Sequence, residues 1–229
     1  MRIFITVFLK TITFYAVCVL LFVCIGNFFV TPTATSKGKF TVVIDAGHGG
    51  IDGGASGVVT GVKESDINLL IAKNLQEKFV KNGFIVIMTR TADEGLYGSE
   101  ESGFKKRDLS KRAEIINSSN ADLAVSVHQN VYSSKTRRGA QTFFSETSIE
   151  GQKLAKQIQG RINGMSLSPR ISNALKGDYY ILNESKIPTA IVECGFLSSP
   201  QDEELLLSEE YREQICNAIF GGCLAYLSG

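Results

Sequence analysis

The 229 residues are enough for one domain with a sizeable core. With 44% hydrophobic and 21% charged residues the composition is that of a globular protein, which excludes wholesale disorder. A formal net charge of +1 gives no footprint for nucleic acid, and the absence of Trp leaves any aromatic platform to Phe and Tyr.

The N-terminus differs in kind from the rest. Arg2 and Lys10 precede an uncharged apolar run over residues 11–30. At ~1.5 Å per residue such a run is about long enough to cross a bilayer core of ~30 Å. Positive charge before it and none within it predict that the remainder is exported. Residues 1–30 read as a signal or membrane anchor. The core is long for a signal peptide and Thr33-Ala-Thr is a weak cleavage site, so the anchor is the first choice and the cleaved signal the second. Leu21-Phe-Val-Cys24 makes a poor lipoprotein box because Val23 is bulky. Residues 31–38 are a polar linker, and residues 39–229 form the folded domain.

Strands and helices then alternate. A buried strand is expected over 39–46. An amphipathic helix follows over 63–82, with Ile67, Leu70, Ile71, Leu75 and Phe79 on one face and Gly83 as its stop. Residues 84–89 read as a strand, 93–106 as a loop, and 107–119 as a helix capped by Asp108. The strand 122–128 leads into a basic loop, 133–138. A strand over 140–145 and a helix over 148–165 come next. Strands are expected over 178–182 and 189–193, and a closing helix over 208–227. This order predicts an α/β fold: a mainly parallel twisted sheet with helices on both faces, in a single domain.

In such sheets ligands bind at the carboxyl ends of the strands. His48 and His128, the only two histidines, each follow a predicted strand, and so does Glu193. Glu64 opens the first long helix. Two imidazoles and a carboxylate can hold a catalytic zinc with an open position for water, and a second carboxylate can act as general base. Each residue alone has a plainer reading. His48 sits in a glycine-rich turn, Glu64 suits the positive end of a helix dipole, and His128 could be a satisfied strand-end histidine. Glu193 could belong to a structural ion pair. A phosphate-cradling loop at 47–54 lacks the Gly-Lys-Ser/Thr that should follow it. Cys194 is a weak nucleophile candidate, since adjacent Glu193 opposes a thiolate. Cys216 and Cys223 lie ~10.5 Å apart along one helix, beyond the ~7 Å reach of a disulfide.

Six blocks carry a family resemblance. They are Val43-Ile-Asp-Ala-Gly-His-Gly-Gly-Ile-Asp-Gly-Gly54, Glu64-Ser-Asp-Ile-Asn-Leu69, Met88-Thr-Arg90, Leu109-Ser-Lys-Arg-Ala113, Ser126-Val-His-Gln-Asn130 and Val192-Glu-Cys-Gly-Phe-Leu-Ser-Ser199. Together they resemble the zinc-dependent N-acetylmuramoyl-L-alanine amidases, the Amidase_3 family, over about residues 40–227. The resemblance implies His48, Glu64 and His128 as ligands of Zn2+ and Glu193 as the catalytic carboxylate. It implies hydrolysis of the amide between muramic acid and L-alanine in peptidoglycan. Gln129 and Ser199 depart from the family's usual residues and leave the ligand set intact. Arg90, Asn130, Lys135, Arg137 and Arg138 are candidates for substrate contact, the basic loop for carboxylates of the stem peptide. With an apolar N-terminus and no wall-binding repeats, the chain is similar to sporulation amidases of the CwlD type. Their role is spore-cortex maturation through muramic δ-lactam. That implies an extracytoplasmic site between the forespore and mother-cell membranes. The expected partners are peptidoglycan, the membrane if the N-terminal segment is uncleaved, and a protein activator; nucleic acid is not expected. A non-catalytic peptidoglycan binder of the same fold and another zinc hydrolase are the alternatives.

Overall fold

The structure is a computed structural model and describes residues 40–229. The N-terminal apolar segment and the linker fall outside the described residues. Among those described, no helix is long and apolar enough to cross a membrane.

Six strands form one sheet in the order β2-β1-β3-β6-β4-β5. They are β1 (Thr41–Ala46), β2 (Ile85–Met88), β3 (Leu123–Asn130), β4 (Gln141–Phe144), β5 (Leu175–Lys176) and β6 (Thr189–Phe196). The first three and β6 run parallel. β4 is antiparallel to β6, and β5 pairs in parallel with β4. The helices are α1 (Glu64–Lys81), α2 (Phe104–Ser118), α3 (Ile149–Asn163), α4 (Tyr180–Glu184), α5 (Pro200–Leu207) and α6 (Glu209–Ser228).

Successive strand residues face opposite sides of the sheet, and the core divides accordingly. Val42, Ile44, Val125 and Val127 pack with Ile71 and Leu75 of α1, Leu154 and Ile158 of α3 and Ile215 and Ile219 of α6. Val43 and Ala124 face the other way, onto Ala113 and Ile116 of α2 and Ile181 of α4. Both faces are covered, which is why the central strands read as continuous apolar runs. The expected α/β sheet with helices on both faces is therefore the observed one.

Three local expectations are corrected. The sequence predicts a strand over 178–182, yet Tyr180–Glu184 is a short helix. Burial of Ile181 against α2, with the Tyr180 hydroxyl 3.1 Å from that of Ser110, outweighs the β-propensity of Tyr-Tyr-Ile. The short strand β5 lies just before it, and α5 was not anticipated. α5 starts on Pro200, with the Ser199 hydroxyl accepting from the Asp202 amide as its cap. Asp108 does not cap α2, which begins after Gly103; its carboxylate instead accepts from the Leu96 amide (2.6 Å) and from Arg112 Nε (2.5 Å).

Arg112 is the largest fully buried side chain, and it lies under the carboxyl end of β1. Its guanidinium donates to Asp45 Oδ1 (2.7 Å), to the Ala46 carbonyl (2.7 Å) and to the His48 carbonyl (2.6 Å). Asp45 also accepts from Thr89 Oγ1 (2.7 Å) and Ser126 Oγ (2.5 Å), which ties β1 to β2 and β3. Burial would raise the Asp45 pKa, but Arg112 and the two hydroxyls outweigh it and hold it at about 2, below its usual 3.8. The stability this carboxylate contributes is present above about pH 4 and is lost as pH falls toward 2. Arg112→Met should lower the unfolding free energy by about 3–5 kcal/mol, because Asp45 would be left charged, buried and without its cation. Urea denaturation at pH 7 measures this; a loss below about 1 kcal/mol would contradict the reading.

Candidate active site

The carboxyl ends of β1, β3 and β6 deliver His48, His128 and Glu193 to one edge of the sheet, and the first turn of α1 delivers Glu64. The β1 turn bends sharply. His48 has φ +60°, a left-handed conformation that a side chain tolerates only when its surroundings impose it. Those surroundings are the Arg112 bond to its carbonyl and a bridge between Gly49 and Asp52. Gly47 is required by close approach: a Cβ there would lie 2.3 Å from His128 Nε2. Gly54, at φ +68°, would set a Cβ 2.5 Å from Glu64 Oε2.

His48 Nε2 lies 3.2 Å from Glu64 Oε1, and His128 Nδ1 lies 3.0 Å from the same oxygen. One ligand atom from each of the three residues falls within 4.8 Å of the others. Tetrahedral bonds of ~2.0–2.2 Å would set ligand atoms about 3.3–3.6 Å apart, so the three fit around one small cation. Two imidazole nitrogens and a carboxylate oxygen suit zinc and leave a fourth position open. The outer contacts are those such a site needs. Asp52 Oδ2 meets His48 Nδ1 at 2.9 Å and orients the ring. Glu64 Oε2 accepts from the Ala55 amide (2.9 Å), and Oε1 from the Gln129 amide (3.1 Å). Asn68 bridges the Gly47 carbonyl (3.1 Å) and the Gln129 side chain (3.1 Å).

Glu193 sits directly across the β3–β6 ladder from His128. It is buried, and its Oε2 has no hydrogen-bond partner among the described residues. Burial raises its pKa to about 7, with the Glu64 carboxylate adding to the rise and the two imidazoles opposing it. The Tyr179 hydroxyl approaches the Glu193 carboxylate, and burial beside that anion pushes the phenol up to about 12.

The substrate-contact candidates separate. Arg90 is buried and faces the protein, not the cleft. Its guanidinium donates to the carbonyls of Ala46 (2.8 Å), Gly47 (3.0 Å), Ser65 (2.8 Å) and Ala92 (2.9 Å), so it holds the His48 turn. Arg138 is committed to Asp202 (2.9 Å). That carboxylate also accepts from the amides of Gly139 (2.7 Å) and Phe196 (3.0 Å), so Arg138 anchors its loop. Asn130 ends β3 beside Phe196, half-buried at the cleft edge, and Lys135 is exposed. The Arg137 guanidinium lies over the Tyr132 and Phe196 rings, 4.6 and 5.6 Å from their centroids.

Sequence reasoning did not assign Asp52, Asn68 or Tyr179. Asp52 had a local signal, a carboxylate four residues past His48 in a glycine-rich turn. Tyr179 had none, because its approach to Glu193 depends on α4. Cys194, Cys216 and Cys223 are free and buried. Burial first, then Cys216 and Glu193, raise the Cys194 thiol well above its usual value, so no thiolate nucleophile forms there.

The profile of the Amidase_3 family, described as N-acetylmuramoyl-L-alanine amidase, matches residues 42–225. The chain is 35% identical over 191 residues to the germination-specific N-acetylmuramoyl-L-alanine amidase of Bacillus subtilis (strain 168), covering 82% of this chain and 79% of that one. Two solved structures are similar in fold. One is the CwlD amidase from Clostridioides difficile in complex with the GerS lipoprotein, with 37% identity and a TM-score of 0.77 over 83% of this chain and 99% of that one. The other is the N-acetylmuramoyl-L-alanine amidase from Clostridium difficile 630, with 34% identity and a TM-score of 0.75 over 83% and 98%.

Two outcomes follow from the site. Burial disfavours the charged His48 ring, but the Glu64 and Asp52 carboxylates outweigh it and raise its pKa from 6.5 to about 9. The metal-free ring therefore carries a proton at pH 7, and a cation needs the neutral form. Zinc uptake should release a proton, and apparent affinity should climb as pH rises toward 9. Calorimetry in buffers of different ionisation enthalpy reads the proton count; no release at pH 7 would refute the assignment. Separately, Cys194→Ser should retain activity within about tenfold, whereas a thiol mechanism would lose about a thousandfold or more, ~4 kcal/mol in the barrier.

Proposed function

The chain belongs to the Amidase_3 family of N-acetylmuramoyl-L-alanine amidases, peptidoglycan hydrolases, and from that premise we propose that His48, Glu64 and His128 hold a zinc ion beside Glu193 as the catalytic carboxylate. The observation that carries the reading is the convergence of the two imidazoles on one Glu64 oxygen, with Glu193 one strand away and not needed to complete the ligand set. When bound, the ion supplies a Lewis acid that polarises the amide carbonyl and acidifies a water.

The protein's own groups do the rest. Asp52 holds the His48 ring in one orientation. Glu193 accepts the proton of the water that attacks the amide carbon, then returns it to the nitrogen of L-alanine as the C–N bond breaks. Burial raises the carboxyl and a bound cation would lower it, so the group can be both charged and neutral during the reaction. Tyr179, beside Glu193, positions its carboxylate. The products are the muramic carboxylate and a peptide with a free amino terminus.

The wider setting belongs to the same proposal. Likeness to the germination-specific Bacillus enzyme and to the CwlD structure supports a spore-cortex role, in which peptide removal precedes muramic δ-lactam formation. Such a role places the domain outside the cytoplasm, with residues 1–30 as anchor or signal, 31–38 as linker and 39–229 as the catalytic domain. The lipoprotein seen with the Clostridioides enzyme supports a protein partner here too.

Glu193→Gln tests the mechanism. The variant should bind zinc as the wild type does and lose turnover of a soluble muropeptide by at least about a hundredfold. Loss of metal would move Glu193 into the ligand shell, and wild-type turnover would remove it from the reaction. In the unmodified enzyme turnover should fall toward acid pH, because a protonated Glu193 cannot accept the water's proton; a turnover unchanged down to about pH 4 would contradict its role as the base.

A further inference from the structure

Beyond Glu193 and the residues proposed to hold zinc, the chain carries a cluster of three arginines around a single carboxylate. Arg137, Arg138 and Arg170 gather around one buried carboxylate, Asp202, and that carboxylate is already used by Arg138 and by two backbone amides. Arg137 and Arg170 are left over. The Nε atoms of both are buried without an acceptor among the described residues. The two guanidiniums are close enough that, after burial, Arg137 is the main influence lowering the pKa of Arg170. Holding like charges together costs stability unless an anion joins them. The one anion that acts on Arg170 is Asp202, whose oxygens are already engaged by Arg138 and two backbone amides.

The position of this pair is informative. His128, Glu193 and Gln141 stand side by side across β3, β6 and β4. The side-chain oxygen of Gln141 accepts from Arg170 (3.1 Å), which places that guanidinium one strand beyond Glu193. Gln141 is itself fastened by its amide to the Asn173 carbonyl, so Arg170 is held to a fixed point. Arg137 lies over Phe196, three residues past Glu193 on β6. Strands are spaced ~4.8 Å apart, so the residue that holds Arg170 is one strand spacing from Glu193. Two residues of extended peptide span at most about 7 Å from the scissile bond, and the side chain of an acidic second residue extends its carboxylate beyond that, toward the guanidiniums.

We propose that Arg137 and Arg170 form a carboxylate-binding subsite for the second residue of the peptide attached to muramic acid. This rests on the reading of the cleft given above. The N-acetylated sugars are neutral and the lactyl group is tied up in the amide, so the substrate's anions lie on its peptide. A planar guanidinium fork is matched to a carboxylate, and two such forks discriminate against a carboxamide of the same shape. The subsite therefore sets a preference for peptides whose second residue is acidic over those in which it is amidated.

The test uses the full-length chain with zinc and two soluble substrates, N-acetylmuramoyl-L-alanyl-D-glutamate and the same compound with both carboxylates converted to carboxamides. The wild type should show a KM lower by about tenfold for the acid, the order expected of hydrogen bonds to a charged group. Arg137→Gln with Arg170→Gln should reduce that difference to about twofold or less, and Arg170→Lys should keep part of it, since charge remains but the fork is lost. Equal KM values in the wild type, or a preference that survives the double substitution, would overturn the proposal. If the double variant melts early, Arg170→Gln alone serves, with the same two outcomes. Calorimetric binding of L-alanyl-D-glutamate and of its diamide separates the two layers of the argument. Arginine-dependent preference in binding without hydrolysis of either substrate would sink the catalytic reading and leave the subsite standing. Hydrolysis of both without preference would do the reverse.

Discussion

The structure depends on one buried ion pair, Asp45 with Arg112. It is placed where β1 must stop being a strand and become a site. A carboxylate and a guanidinium taken out of water are costly unless hydrogen bonds replace the water, and here Asp45 accepts three while Arg112 donates four. Asp45 accepts from Thr89 just past β2, from Ser126 of β3 and from Arg112 of α2 at once, while Arg112 donates further to Asp108 and to the carbonyls of Ala46 and His48. Arg90 does the same from the other side, on Ala46, Gly47 and Ser65. Two buried arginines thus grip the backbone of the turn that carries His48. A main chain bent to φ +60° at His48 is kept there by these bonds, and they are the reason a strained conformation persists.

From that turn the geometry of the site follows with few free choices. Parallel strands end at a common level, so His48, His128 and Glu193 reach one edge without any loop having to find its way there. Glu64 arrives from α1, whose first turn is held by backbone bonds from Glu64 to Ala55 and from Ser65 to Gly53. The cost of two neighbouring imidazoles and two buried carboxylates is shared among them. Burial works against the Glu64 charge, yet the two rings outweigh it and hold its pKa well below the usual carboxylate range. Glu193, one strand further from the rings and lacking a partner for one oxygen, is pushed the other way. Two carboxylates of the same site are thereby divided into one that stays charged and one that can take and return a proton.

Much of this was legible in the chain itself. The apolar runs before His48, His128 and Glu193 mark buried strands, and the residue that follows such a run in a parallel sheet lies at the ligand edge. The helices 63–82 and 148–165 announce themselves by spacing, and their observed limits differ from the expected ones by two residues or fewer. The same reasoning went astray where local and tertiary preferences disagree. Asp178-Tyr-Tyr-Ile-Leu has the composition of a strand, but Tyr180–Glu184 is a helical turn that buries Ile181 against Ala113 and Ile116 of α2. Asp108 stands near a helix start and resembles a cap, yet its partner is four residues on, in the interior.

The division between what the sequence determined and what the fold decided follows from the range of the forces involved. Residue types, strand periodicity and the Gly-His-Gly-Gly turn are short-range properties, and they were enough to specify the sheet and to set His48, His128 and Glu193 at the carboxyl ends of its strands, whereas Glu64 by itself read as a helix cap and joined them only through the family resemblance. The roles of the arginines were not. Arg90, Arg112, Arg137, Arg138 and Arg170 look alike in the chain, and each could have met substrate or solvent. Which of them is buried on carbonyls, which is paired with Asp202 and which is left without an anion depends on groups 25 to 66 residues away. A guanidinium has no local preference strong enough to choose among such partners; only the packing that sets the distance and the dielectric around it does.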